Sequence, residues 1–181
     1  MSTKYKASNV DSAYFITITT IGWIDVFTRL SQKTAIMDSL SYCQTQKGLT
    51  IFAYCLMSNH LHLFCKADGT CTLPEIIRDF KKFTSKKIIS LIQSEPESRR
   101  EWMLPLFSNA CSHLSRNQKW KVWQDGYHAE EIFSVRWIRQ KINYIHQNPV
   151  KQKIVMKAED YYFSSARNYA GMEYALEVCV L

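Results

Sequence analysis

Three short segments of the chain have the apolar pattern of β-strands. Residues 14–20 are mostly aromatic or β-branched, residues 49–57 form an apolar run, and residues 60–66 alternate with a period of two. Ser58 and Asn59 separate the second and third segments and suit a tight turn. The pattern therefore predicts a β-hairpin whose first strand is typical of the middle of a sheet.

Two further segments have the spacing and the end signals of helices. The first would begin at Ser31 and end at Gly48. The second begins at Thr72, which can form a capping box with Glu75, and its apolar residues recur near helical spacing as far as residue 94. The order strand, helix, strand, strand, helix predicts an antiparallel α+β sandwich.

The stretch after the second helix gives weaker signals. Residues 97–120 indicate a short helix, interrupted at Pro105, and a loop. Residues 121–128 favour an edge strand with a turn at Asp125 and Gly126.

A last helix and a terminal arm complete the predicted domain. Ser134 can cap a helix that continues through Gln147, and Pro149 would stop it. We expect residues 151–181 to form a packing arm on a core that covers about residues 13–150. The whole chain, residues 1–181, is then one domain.

Composition excludes several classes of protein. Apolar residues make up 46% of the 181 residues and aromatic residues 13%, which excludes a disordered or low-complexity chain. The longest apolar run, residues 51–57, is far shorter than the roughly 18 residues of a membrane span. The polar start carries no signal-peptide pattern, and the six cysteines include no CxxC pair. We therefore expect a soluble, cytoplasmic protein with reduced thiols and no membrane partner; a zinc site of cysteines and histidines is the alternative.

The net charge of +7 is concentrated in two segments. The basic residues of the second predicted helix are Arg78, Lys81, Lys82, Lys86 and Lys87. Residues 132–157 contain no acidic residue, and their basic residues are Arg136, Arg139, Lys141, Lys151, Lys153 and Lys157. Two such clusters favour binding to nucleic acid, although solvated helix faces would have the same composition.

The third predicted strand carries two histidines that can act together. Side chains at positions i and i+2 of a strand point to the same face, so His60 and His62 would stand side by side. Two imidazoles without a carboxylate nearby in sequence suit a divalent metal. The alternative is a pair of half-exposed sheet histidines.

The last predicted helix carries a tyrosine outside its apolar stripe. That stripe consists of Val135, Ile138, Ile142 and Ile145. At about 100° per residue, Tyr144 lies away from the stripe, beside Trp137, Gln140 and Asn148. Tyr144 therefore belongs to a polar patch in the segment that contains no acidic residue. It is either a functional residue or an ordinary surface or interface residue.

These parts together suit one kind of reaction. A tyrosine hydroxyl can attack a phosphodiester if a metal ion polarises the phosphate and stabilises the developing charge. The product would be a phosphotyrosine link that conserves bond energy for rejoining, and the basic helices would hold the strand.

The motifs resemble a known family. Residues 54–63, which include His60 and His62, resemble the HUH motif (histidine, hydrophobic residue, histidine) of single-tyrosine transposases. Residues 123–128, residues 144–150 and the Ser164-Ser165-Ala166 segment with Arg167 resemble the REP-associated tyrosine transposases in particular. The resemblance covers about residues 14–171.

The resemblance implies a fold, a site and a substrate. The fold would be ferredoxin-like: an antiparallel sheet with helices on one face, the histidine strand in its centre and the tyrosine helix beside the metal site. His60, His62 and Asn148 would bind Mg²⁺ or Mn²⁺, and Tyr144 would cut single-stranded DNA and remain linked to the 5′ phosphate. The DNA partner would be a single strand or an imperfect palindrome that folds into a hairpin, which implies a cytoplasmic, nucleoid-associated transposase.

Other interpretations stay open at this point. A domesticated descendant could bind DNA or RNA with the same fold and no catalysis, and a zinc hydrolase or a structural zinc protein could use His60, His62 and cysteines. Residues 97–120 form a longer segment than in the most compact members of the family. This extra length leaves open whether the protein is a monomer or a homodimer.

Overall fold

The computed structural model describes residues 7, 9, 12–112 and 119–181, and its centre is a four-stranded antiparallel sheet. The strands are β1 (Ala13–Thr19), β2 (Leu49–Leu56), β3 (His60–Ala67) and β4 (His128–Ile132). Their order across the sheet is β2-β3-β1-β4, which places the histidine strand β3 between β1 and β2.

Five α-helices accompany the sheet in the part of the chain that the structure describes. They are α1 (Leu30–Lys47), α2 (Leu73–Ser94), α3 (Arg100–Asn109), α4 (Val135–Lys151) and the single turn α5 (Ala166–Tyr169). α1 connects β1 to β2 and α2 leads from β3 towards β4, so each crosses one intervening strand and the two pack against each other. This arrangement confirms the predicted α+β, ferredoxin-like fold.

The helix ends follow local hydrogen bonding. In α2 the predicted capping box is present, since the Glu75 backbone N–H donates to the Thr72 hydroxyl and the Thr72 backbone N–H donates to the Glu75 carboxylate. Ser31 does not cap α1, because its hydroxyl donates instead to Glu95 at 2.6 Å. The Gln32 side chain accepts from the Arg29 backbone N–H at that end.

The predicted edge strand is displaced along the chain. Residues 121–128 do not form it, because Trp123 makes only an isolated bridge to Thr20 and its ring is buried in the core. A turn with Gly126 at φ 64° follows, and the edge strand β4 begins at His128, where it pairs with β1. Part of the predicted loop, residues 113–118, lies outside the described residues.

Two predictions about α4 are wrong. Pro149 does not stop the helix, because it lies in the last turn and the Gln152 backbone N–H bonds to the Asn148 carbonyl beyond it. Val135 does not belong to a buried stripe, since 66% of it is exposed. The buried residues of α4 are Ile145, His146, Asn148 and Pro149.

Residues 151–181 pack along the free edge of β2. The Leu56 backbone N–H donates to the Phe163 carbonyl, and the Ser165 N–H donates to the Tyr54 carbonyl, both at 3.0 Å. The Tyr161 hydroxyl donates to the Leu56 carbonyl. The arm therefore occupies backbone groups that an exposed sheet edge would offer to another chain.

A buried serine connects this arm to both α4 and β2. The Ser165 hydroxyl accepts from the Tyr54 backbone N–H at 2.9 Å and lies 2.9 Å from Nε2 of His146. Ser165 has no exposed surface. Because His146 lies two residues after Tyr144, this network fixes the position of the tyrosine helix on the sheet.

No helix among the described residues is both long and apolar enough to cross a membrane.

We predict that Ser165→Ala lowers the free energy of unfolding by about 1–3 kcal/mol, because it leaves His146 and the Tyr54 N–H without a buried partner. Urea unfolding measures the change. Ser41→Ala, at an exposed position of α1, is the matched control and should change stability by less than about 0.5 kcal/mol. Equal stability of the two variants would contradict the role given to Ser165.

Candidate functional site

The sheet register brings the two histidines onto one face. His60 lies opposite Thr19 of β1 and His62 lies opposite Thr17. Both histidines are buried, and their ring centroids are 4.7 Å apart. The predicted convergence of the two imidazoles is therefore present in the structure.

A neutral oxygen orients each imidazole ring. Nδ1 of His60 lies 2.6 Å from the Asn59 side-chain oxygen, and Nδ1 of His62 lies 2.8 Å from the Thr17 hydroxyl. When Nδ1 carries the proton in these bonds, Nε2 keeps a lone pair that can bind a metal. Sequence reasoning missed Thr17, although the period of two in β1 marks it as a residue of one face.

Burial keeps both histidines neutral. It lowers the pKa of His62 to about 3, and the neighbouring His60 and Lys141 contribute in the same direction, while an interaction with the Asn148 side chain opposes the shift. Burial also lowers the pKa of His60, against the attraction of Asp25. Neutral imidazoles are the form that binds metal ions.

α4 places Tyr144 directly against His62 of this pair. The Tyr144 ring centroid lies 5.4 Å from that of His62 and 5.7 Å from that of Phe15, both edge to face. The side chain is 39% exposed, so a substrate can reach it from solvent. The structure thus brings together the predicted tyrosine and the predicted histidines, with Phe15 as a neighbour that sequence reasoning missed.

Asn148 lies one turn after the tyrosine and is buried. Its amide nitrogen donates to the Tyr144 carbonyl at 2.8 Å, which orients the side chain within the helix. Its interaction with the His62 ring places it at the histidine pair. The amide oxygen is then a possible third ligand beside two imidazole nitrogens.

Two predicted lysines lie near the tyrosine, one against its ring and the other against the ring of its neighbour Phe15. Lys151 Nζ lies 5.3 Å from the Tyr144 ring centroid. Lys141 Nζ lies 4.6 Å from the Phe15 ring centroid and forms an ion pair with Glu130 at 2.6 Å. The site is therefore cationic at its rim and neutral at its centre. Arg136 and Arg139 are exposed on the first turns of α4.

The basic residues of α2 have different surroundings. Lys81 Nζ donates to the carbonyls of Gln124 and Gly126 at 2.7 and 2.6 Å, and burial lowers its pKa to about 8. Lys81 therefore holds residues 119–127 on α2, which sequence reasoning did not foresee. Arg78 is exposed and pairs with Asp79 at 3.0 Å.

The other predicted lysines of α2, Lys82, Lys86 and Lys87, are exposed. Lys82 and Lys86 line a groove of about 910 Å³ between α2 and residues 119–127, where Lys119 and Trp120 face them. This groove is a second cationic surface, apart from the histidine pair.

The donor set fits a weakly held divalent metal. The described residues contain no group of three or more histidines, cysteines or acids that could hold a metal ion, so they give no support to the zinc alternative, which needs a third such ligand. Two imidazoles and one amide oxygen leave coordination positions for water and phosphate oxygens, which Mg²⁺ and Mn²⁺ accept.

Comparisons with known proteins bear on the family and the fold of the chain. A family model described as "Transposase IS200 like" matches residues 8–148. A solved REP-associated tyrosine transposase bound to a REP hairpin is 18% identical, with a TM-score of 0.64 over 99% of this chain and 92% of that chain. At this identity the likeness shows the fold. A candidate transposase from Deinococcus radiodurans R1 is also 18% identical, with a TM-score of 0.47 over 81% of this chain and 97% of its own. None of the curated proteins matches the chain.

We predict that the metal-free protein loses stability as the pH falls below about 6.5, the ordinary pKa of histidine. The unfolded chain then takes up protons at His62 and His146, whereas burial lowers their folded pKa values to about 3 and about 4. Between pH 7 and pH 5 the loss should be roughly 2 kcal/mol for each histidine.

Urea unfolding in the presence of a chelator at the two pH values measures this loss. His146→Gln, which cannot titrate, should reduce the pH dependence by between about a third and a half, because burial lowers the pKa of His60 as well. An unchanged pH dependence in that variant would show that burial does not keep His146 neutral.

Proposed function

The chain belongs to the family of IS200-like transposases, and from this premise we propose that it cuts and rejoins single-stranded DNA with Tyr144 as the nucleophile. The observation that carries the proposal is the contact of the Tyr144 ring with His62, at the face of the sheet where two neutral imidazoles converge. A phenol, two metal-binding nitrogens and a cationic rim are the parts that phosphodiester transfer needs.

The proposed reaction is a transesterification. The Tyr144 oxygen forms a bond to the phosphorus, and the bond from phosphorus to the 3′ oxygen of the preceding nucleotide breaks. The phenolic proton leaves to solvent, which reaches the exposed edge of Tyr144, and the released 3′ oxygen takes up a proton. The 5′ phosphate stays on the tyrosine, so the reverse attack by a 3′-OH can rejoin a strand without another energy source.

The surrounding residues would assist this step. Lys151, which lies against the Tyr144 ring, would stabilise negative charge that develops on the phenol oxygen. His60, His62 and Asn148 would hold Mg²⁺ or Mn²⁺. When bound, the ion would act as a Lewis acid on the phosphate.

The proposed substrate is DNA with a hairpin and a single-stranded flank. The exposed residues Arg78, Lys82, Lys86 and Lys87 of α2 would contact phosphates of the paired stem. Lys141 and Lys151 of α4 lie near Tyr144 and would hold the unpaired strand. The REP hairpin bound by the solved relative supports this choice of substrate.

We predict that Tyr144→Phe removes the covalent protein–DNA product. The assay combines the protein with Mn²⁺ and labelled strands from the palindromes that flank its own gene, and a denaturing gel resolves the products. Hairpin affinity should change by no more than about twofold, because only a hydroxyl is lost. Tyr162→Phe is the matched control, since its side chain is 40% exposed compared with 39% for Tyr144.

Adducts that persist in Tyr144→Phe and disappear in Tyr162→Phe would assign the nucleophile to the terminal arm. A wild-type protein that shifts the hairpin on a native gel but forms no adduct with any metal would be a DNA-binding descendant without catalysis.

We also predict that His62→Ala weakens Mn²⁺ binding by about tenfold or more, because it removes one of two imidazole ligands. Electron paramagnetic resonance of free Mn²⁺ measures the affinity without any DNA. Tyr144→Phe serves as the control and should bind Mn²⁺ like the wild type. Unchanged affinity in both His62→Ala and His60→Ala would place the metal elsewhere.

A further inference from the structure

An exposed aromatic pair lies where β4 joins α4. Phe133 is 77% exposed and Trp137 is 40% exposed, and their ring centroids are 5.3 Å apart. Val135 between them is 66% exposed. Apolar side chains that cluster at such exposure mark a surface that contacts a partner.

Trp137 lies in the first turn of α4, and its position there determines which side of the helix it occupies. The Ser134 hydroxyl caps the helix by accepting from the Trp137 backbone N–H. Trp137 precedes Tyr144 by seven residues, which is about two helical turns or 10 Å along the axis and about 20° around it. The tryptophan and the tyrosine therefore face the same side of α4.

The charge of this surface favours a polyanion. Residues 132–157 contain no acidic residue, Arg136 precedes Trp137 at an exposed position, and Lys141 follows one helical turn later on the side of the helix that carries Trp137. An isologous contact between two copies of the chain would bring these cations together without acids from the same segment to offset them. A nucleic-acid strand offers phosphates for these cations and flat bases for the aromatic rings.

We propose that Phe133 and Trp137 form a stacking platform for unpaired bases of the DNA strand whose phosphate lies at Tyr144. The proposal rests on the proposed function and adds the way in which the site holds the single-stranded flank. At about 3.4 Å for each stacked nucleotide, the platform lies about three nucleotides from the reacting phosphate. Stacking accepts every base, so this surface gives affinity for unpaired DNA and not for a particular sequence.

The test measures equilibrium binding of fluorescein-labelled (dT)20 by anisotropy in the presence of EDTA, which keeps cleavage out of the measurement. A second probe has the same length and phosphates but abasic sugars. Trp137→Ala should weaken binding of (dT)20 by about 5- to 100-fold and leave binding of the abasic probe nearly unchanged. Trp137→Phe should retain most of the affinity because a ring remains.

Trp102→Ala is the matched control, because Trp102 is 48% exposed on α3, away from this surface. Equal affinity of Trp137→Ala and Trp102→Ala for (dT)20 would overturn the platform. A second result would also overturn the platform: the wild type is a dimer, and Trp137→Ala is a monomer that binds DNA with unchanged affinity. Phe133 and Trp137 would then join two copies of the chain. The binding test does not depend on cleavage. If the protein forms no covalent adduct, so that the proposed function fails, the loss of (dT)20 affinity in Trp137→Ala would still support the stacking platform.

Discussion

The position of α4 on the histidine face of the sheet is the constraint on which the site depends. The buried Ile145 anchors the helix on the core, and His146 joins it through Ser165 to the backbone of Tyr54 in β2. These contacts lie next to Tyr144 in the chain, so a shift of the helix would move the phenol away from His62. The proposed attack of the Tyr144 oxygen on phosphorus would tolerate little misplacement, and the buried network holds the helix in place.

The electrostatics of the site follow from the same packing. The sheet and α4 bury the histidines, which keeps them neutral and able to bind a metal. The cations remain at the rim, where Lys151 contacts the Tyr144 ring and Lys141 is paired with Glu130. In the proposed function, this arrangement would separate the metal ligands at the centre from the phosphate-binding cations at the rim.

Local patterns of the sequence predicted much of this structure. The strands β1, β2 and β3, the capping box of α2 and the shared face of the two histidines follow from patterns that act over a few residues. The position of β4 did not follow from such a pattern. Val135 and Pro149 were misjudged because their surroundings depend on how α4 meets distant elements. Lys81, which binds carbonyls of a distant segment, and Ser165, which joins α4 to β2, acquire their roles only through tertiary contacts. Tyr144 was selected as a candidate functional residue because its angle on the helix lies outside the predicted apolar stripe. The stripe was only partly correct, since it included the exposed Val135.

The most direct test of the account is to identify the amino acid that becomes attached to DNA. The wild-type protein is allowed to react with a hairpin substrate and Mn²⁺, digested with trypsin and nuclease, and analysed by tandem mass spectrometry. We predict a nucleotide phosphate on Tyr144, within the tryptic peptide of residues 142–151. A nucleotide on any other residue would contradict the assignment of the nucleophile and the function proposed for the contact between Tyr144 and His62.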